Sequence, residues 1–206
     1  MPKKLTLNQF ISNPTGKYSA EVGRRDLIKS SLKRQFQQLL REHNNKFQWR
    51  IYQPSANKNK FLFHFKIPST TKKDLFYDVV LQFTENDKGK TTISDFDMKV
   101  FSNAPNFMFT YAYVLNEDDL LIDLLKSKID RRALTQEPDK RNPSEDLGFE
   151  KSMYFAGLYI KDARMYYISQ IKKNVSKWNR ESFLDSIATT TEKLEEYQNK
   201  EKKDKK

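Results

Sequence analysis

The chain has 206 residues, of which 32% are charged and 13% aromatic, and a formal net charge of +11. That length fits one domain, and the aromatic share is enough to build much of a core from rings. With no cysteine and only His43 and His64, disulfides, thiolate catalysis, zinc–thiolate centres and multi-histidine metal sites lack material, so no cofactor or metal is expected.

The opening Met1-Pro2-Lys3-Lys4-Leu5-Thr6 carries charge but no apolar run of the kind a secretory leader needs. The longest apolar stretch, residues 107–115, is too short to cross a bilayer. The expectation is a protein of the cytoplasm, or of a virion assembled there, with no membrane partner. Lysine outnumbers arginine 28 to 10 and there are only 5 glycines. In this the composition is similar to that of small phage proteins from AT-rich genomes.

Along the chain, residues 1–18 hold Pro2, Pro14 and Gly16 among polar neighbours and read as a polar arm. From Ser19 to His43, Ile28, Leu32, Phe36 and Leu39 form one stripe of an amphipathic helix. Four period-two series follow: Phe47, Trp49 and Ile51; then Phe61, Phe63, Phe65 and Ile67; then Tyr77, Val79, Leu81 and Phe83; then Phe96, Met98 and Val100. Strict alternation over such lengths predicts half-buried strands, with His64 turned to solvent. Short links, including residues 85–90 with Gly89 free to take a positive φ, make them an antiparallel meander.

Residues 107–115 suit a fifth strand, with a helix as the alternative, and Asn116 reads as the N-cap of a helix over Leu120, Leu121, Leu124, Leu125 and Ile129. A long helix from about Ser144 carries Met153, Ala156, Ile160, Ala163, Tyr167, Ile171 and Val175. A last one near Ser182–Asn199 carries Phe183, Ile187, Leu194 and Tyr197. The expected organisation is a polar arm (1–18), one domain (19–178), and a terminal helix with a charged tail (179–206). Its class is α+β: a basic N-terminal helix, an antiparallel sheet of four to five strands, and C-terminal helices covering it.

Asp78 lies in the third strand series, and Asp95, Asp97 and Lys99 lie on one side of the fourth. An aspartate on one strand and Asp-x-Lys on the next resembles the PD-(D/E)xK nucleases. That resemblance implies Mg²⁺ held by Asp78 and Asp97, with Lys99 helping to activate water. Tyr77 stands where the family has proline, however. A strand burying Phe96, Met98 and Val100 would also present Asp95, Asp97 and Lys99 as its solvated side. The solvated side is the expected role, with the nuclease as the alternative.

The charge is unevenly placed: +12 over residues 1–75, −6 over 76–150 and +5 over 151–206. Arg24, Arg25, Lys29, Lys33, Arg34 and Arg41 share the predicted N-terminal helix, and Lys3 and Lys4 join them from the arm. Such a cluster fits the phosphates of a nucleic acid or the acidic middle of another copy of the chain. Phe61, Phe63 and Phe65 are expected in the core rather than stacked on bases. The tyrosines 154, 159, 166 and 167 exceed what one sheet face needs and suit an interface. Together these features predict a non-catalytic structural or interaction protein. Its setting would be a large assembly, a tailed-phage virion or a nucleoprotein complex.

Overall fold

The computed structural model describes residues 4–12, 22–72, 74–86, 89–138, 149–189, 191–193, 195–196 and 199, the side chains of 22–27 excepted. In chain order its elements are α1 (Leu7–Ser12), α2 (Val22–Glu42), β1 (Gln48–Tyr52), β2 (Lys60–Pro68), β3 (Phe76–Thr84) and β4 (Asp97–Ser102). Then come α3 (Pro105–Thr110), α4 (Ala112–Glu117), a 3₁₀ turn (Asp123–Lys128), α5 (Arg131–Thr135), α6 (Lys151–Asp162), α7 (Ile168–Lys173), β5 (Val175–Ser176) and α8 (Arg180–Asp185). The strand order is β4-β3-β2-β1-β5, antiparallel except for the β1–β5 pair. This is an α+β fold. No helix among the described residues is long and apolar enough to cross a membrane.

The sheet forms where the alternation predicts it. Phe61 faces Phe83 across the β2–β3 ladder, Phe63 faces Leu81, and Phe65 faces Val79. All six are buried, and rings of this kind on adjacent strands contribute contact energy beyond their area. Over this face lies α6, whose Tyr159 meets Phe65 with ring centroids 6.1 Å apart. Because α6 is covered in turn by α1 and α2, every residue from Ser152 to Ile160 is buried. The stripe of α2 meets α6 and the entry to β1: Phe36 packs on Phe155 at 5.7 Å and on Phe47 at 6.0 Å.

The second sheet face is covered too, which alternation alone does not predict. Leu62, Val80 and Phe101 are buried there, Phe107 of α3 packs against Phe101, and Phe183 of α8 packs on Tyr52 at 5.1 Å. Strands covered on both sides read as continuous apolar runs, as Phe61-Leu62-Phe63 and Val79-Val80-Leu81 do.

Several expected elements are corrected. Residues 107–115 are helical, not a strand: Pro105 opens α3, and Phe107, Ala112 and Leu115 are buried while Phe109 is 49% exposed. Asn116 lies inside α4 instead of capping a new helix, and the chain turns at Asp119 with φ 55°. The long C-terminal helix is two helices. Arg164 takes φ 53°, and the segment after it bonds to another strand-like stretch, Ile93 N–H donating to Tyr166 O and Ile168 N–H to Thr91 O. The expected start at Ser144 lies outside the described residues, as do Leu194 and Tyr197 of the last helix. That helix is short: Asn179 caps α8 at the Ser182 N–H, and the chain turns at Ser186. Residues 191–193 are helical again.

Residues 5–12, expected in the polar arm, are packed: Leu5, Leu7 and Phe10 are buried. Phe10 sits edge-on to Phe149 at 4.4 Å. Only glycine leaves room for it on α6, since a methyl at position 157 would lie 2.7 Å from the Phe10 ring. The outer edge of β4 is taken up as well. Met98 N–H donates to Leu5 O, Val100 N–H to Leu120 O, and Ile122 N–H to Val100 O. On the opposite side, the sheet ends on the two residues of β5.

Two stability measurements follow. Phe63→Ala should cost about 3–5 kcal/mol in a denaturant titration, the range for buried rings. Gly157→Ala should lower the melting temperature although alanine is about 1 kcal/mol the better helix former, and adding Phe10→Leu should recover part of the loss. A rise in melting temperature for the single variant would mean that Phe10 is not seated on α6.

Candidate functional site

Asp78, Asp97 and Lys99 do not come together. They share one face of the sheet by parity, but Asp97 is level with Thr84, six residues along β3 from Asp78. At about 3.3 Å per residue that is roughly 20 Å, far beyond the 2.0–2.1 Å reach at which two carboxylates hold one Mg²⁺. Each member has other partners. Asp97 accepts from Asn86 Nδ2 at 3.1 Å. Lys99 donates to Asp119 at 2.7 Å and to Asp123 at 3.2 Å. Burial alone would lower the Lys99 pKa, but these two carboxylates outweigh it and raise it. Lys126 adds a third contact, 3.3 Å from Asp123.

Asp78 instead centres a buried polar cluster that the sequence reading missed. Its side chain is 2% exposed and meets four donors. His64 Nε2 lies 2.9 Å and Lys66 Nζ 3.1 Å from Oδ1, while Asn103 Nδ2 lies 3.0 Å and the Ala188 N–H 3.3 Å from Oδ2. The Asp78 backbone N–H donates back to Asn103 Oδ1 at 2.8 Å. Lys66 is the cross-strand partner of Asp78, and His64 is that of Val80. His64 is therefore buried at the sheet face, not turned to solvent, with Phe183 edge-on to its ring at 6.1 Å. The reason is the cover supplied by α8, which encloses the polar side of β2. One signal pointed here: a lone carboxylate beside Val79-Val80-Leu81 must find partners if it is to be buried.

Burial pushes the Asp78 carboxyl up, but the His64 hydrogen bond and charge, with Lys66 behind them, outweigh it and hold the group below its ordinary 3.8. The folded form therefore favours the carboxylate, and Nε2–H of His64 is the donor in that pair. The stability this carboxylate contributes is complete above pH 3.8 and fades as pH falls through the lower folded-state value.

The basic helix is formed as expected over Val22–Glu42. Lys33, Arg34 and Arg41 are exposed and Lys29 is half-buried. None of the four makes an ion pair among the described residues. The side chains of Arg24 and Arg25, and all of Lys3, lie outside the described residues; Lys4 is exposed. Phe61, Phe63 and Phe65 are core residues, so no base could stack on them. Of the tyrosines, 154 and 159 are buried, while Tyr166 and Tyr167 stack on each other at 4.4 Å with Tyr167 39% exposed. The N-terminus of α6 is capped by buried Glu150, which accepts from the Ser152 N–H at 2.7 Å. Among the described residues no three His, Asp or Glu side chains converge on one point.

Comparison with protein-family models, curated proteins and solved structures finds no match to this chain.

Replacing the central carboxylate tests the cluster. Asp78→Ala should destabilise by about 3 kcal/mol at neutral pH, because it strands buried donors on three segments. It should also flatten the loss of stability expected below pH 3.8 in the parent and speed hydrogen exchange at the Ala188 amide. A variant with an unchanged acid limb would show that Asp78 is not held as a carboxylate.

Proposed function

We propose that this chain is a non-catalytic interaction protein that docks on a polyanion, a nucleic acid, through the outer face of α2 within a larger nucleoprotein or virion assembly. The observation that carries the reading is the sidedness of that helix. Phe36, Leu39 and Leu40 are buried against the body of the protein, while Lys33, Arg34 and Arg41 stand outside without acidic partners among the described residues. Unpaired cations on a rigid element can displace the counterions of a phosphate backbone without first breaking ion pairs of their own.

The competing partner is the acidic middle of a second copy, part of which is already engaged. Asp119 and Asp123 are among its exposed acids, and they are already matched by Lys99 and Lys126 of the same chain. A basic helix from a neighbour would have to displace those lysines.

Salt titration separates the two. On duplex DNA the affinity should fall with a log–log slope of about −0.9 per phosphate contacted. Exchanging Lys29, Lys33, Arg34 and Arg41 for glutamine should flatten it by up to about 3.6 units, with the fold intact. Loss of self-association in sedimentation, with DNA binding unchanged, would transfer the helix to a protein partner. No change in either assay would leave it a solubilising surface and end the proposal.

A further inference from the structure

A second basic feature lies on the opposite side of the sheet from α6. Cross-strand pairing sets Gln48 beside Lys66 and Arg50 beside His64, and Ser186 at the end of α8 closes the square into a small pocket of about 190 Å³. Its lining holds Arg50, Lys66 and His64 and no acidic residue. Arg50 is exposed and makes no ion pair among the described residues. Lys66 spends one bond on Asp78 and keeps 42% of its side chain exposed. Directly behind the lining, the Asp78 carboxylate is turned inward onto His64, Lys66, Asn103 and the Ala188 amide. It holds the His64 ring and the Lys66 ammonium in place, and its own oxygens are already occupied.

From this arrangement we infer that the Arg50–Lys66–His64 pocket is a binding site for a single phosphate group. A guanidinium offers paired donors whose spacing matches two phosphate oxygens, and an ammonium at the same site adds a point charge. The pocket is smaller than the roughly 300–1,000 Å³ of sites that enclose whole drug-sized ligands, so it takes the phosphate and leaves the rest of the ligand outside. A terminal phosphate on a small ligand and a phosphate of a nucleic-acid backbone present the same chemistry of capture. The site does not depend on α2 and stands whether or not that helix docks on a polyanion.

Isotope-labelled full-length protein titrated with inorganic phosphate at constant ionic strength provides the test, read by NMR at the His64 ring and the Arg50 side chain. Saturable shifts at both are expected. Arg50→Gln, at an exposed position that leaves Asp78 its partners, should weaken binding about tenfold, the size of one lost charge-assisted hydrogen bond. The glutamine variant of Lys29, Lys33, Arg34 and Arg41 should bind phosphate as the parent does, which separates this site from α2. A nucleoside monophosphate and a duplex, run as further arms, identify the source by which of them moves the same resonances. Shifts that never saturate, or that persist unchanged in Arg50→Gln, overturn the site.

Discussion

One buried carboxylate ties together parts of the chain that are distant in sequence. Asp78 sits on a central strand and reaches His64 and Lys66 on β2, Asn103 just past β4, and the Ala188 amide after α8. A charge in such a place is tolerated only when its hydrogen-bonding capacity is filled. Filling it fixes the pairing of β2 with β3, because a slip of one residue would turn Asp78 to the other face of the sheet, among Phe63 and Phe65. It also explains how so short a helix as α8 can serve as a lid. Phe183 and Ile187 supply the apolar contact, and the amide beyond them supplies a directional bond.

Much of the sheet was legible because period two is a local signal. Phe61 to Ile67 and Tyr77 to Phe83 needed no partner in order to be recognised as strands. Errors arose where two periods compete or where a distant segment decides. Phe107, Phe109, Tyr111 and Tyr113 alternate like a strand, yet Pro105 and the i, i+4 pairing of Phe107 with Tyr111 carry the helix. Alternation says which face His64 takes and not whether that face is covered; its cover, Phe183, lies more than a hundred residues away. Phe10 was missed for the same reason, its seat being the missing side chain of Gly157.

The polar residues of the resembling nuclease motif illustrate the limit of spacing. Asp78, Asp97 and Lys99 have the right types, the right order and even the same face. Register alone separates them, and register is set by the hairpin between β3 and β4. The separate register of β1 on β2 sets Arg50 beside His64, one pair along from Gln48 and Lys66, residues that no motif joins. A side chain's neighbours across a sheet are thus as informative as its neighbours in the chain, and only the folded molecule displays them.

The treatment of the sheet's two margins bears on how copies of this protein can associate. On one margin, backbone groups of Met98 and Val100 are already bonded to Leu5, Leu120 and Ile122. On the other, β5 offers two residues, with exposed Lys172 and Lys173 before it and exposed Lys177 after it. Among the described residues neither margin gives an incoming strand a long, neutral ladder to extend, and lysine beside a short terminal strand is a common defence against such growth. Copies at high local concentration are therefore held back, at these two margins, from merging their sheets into a fibre.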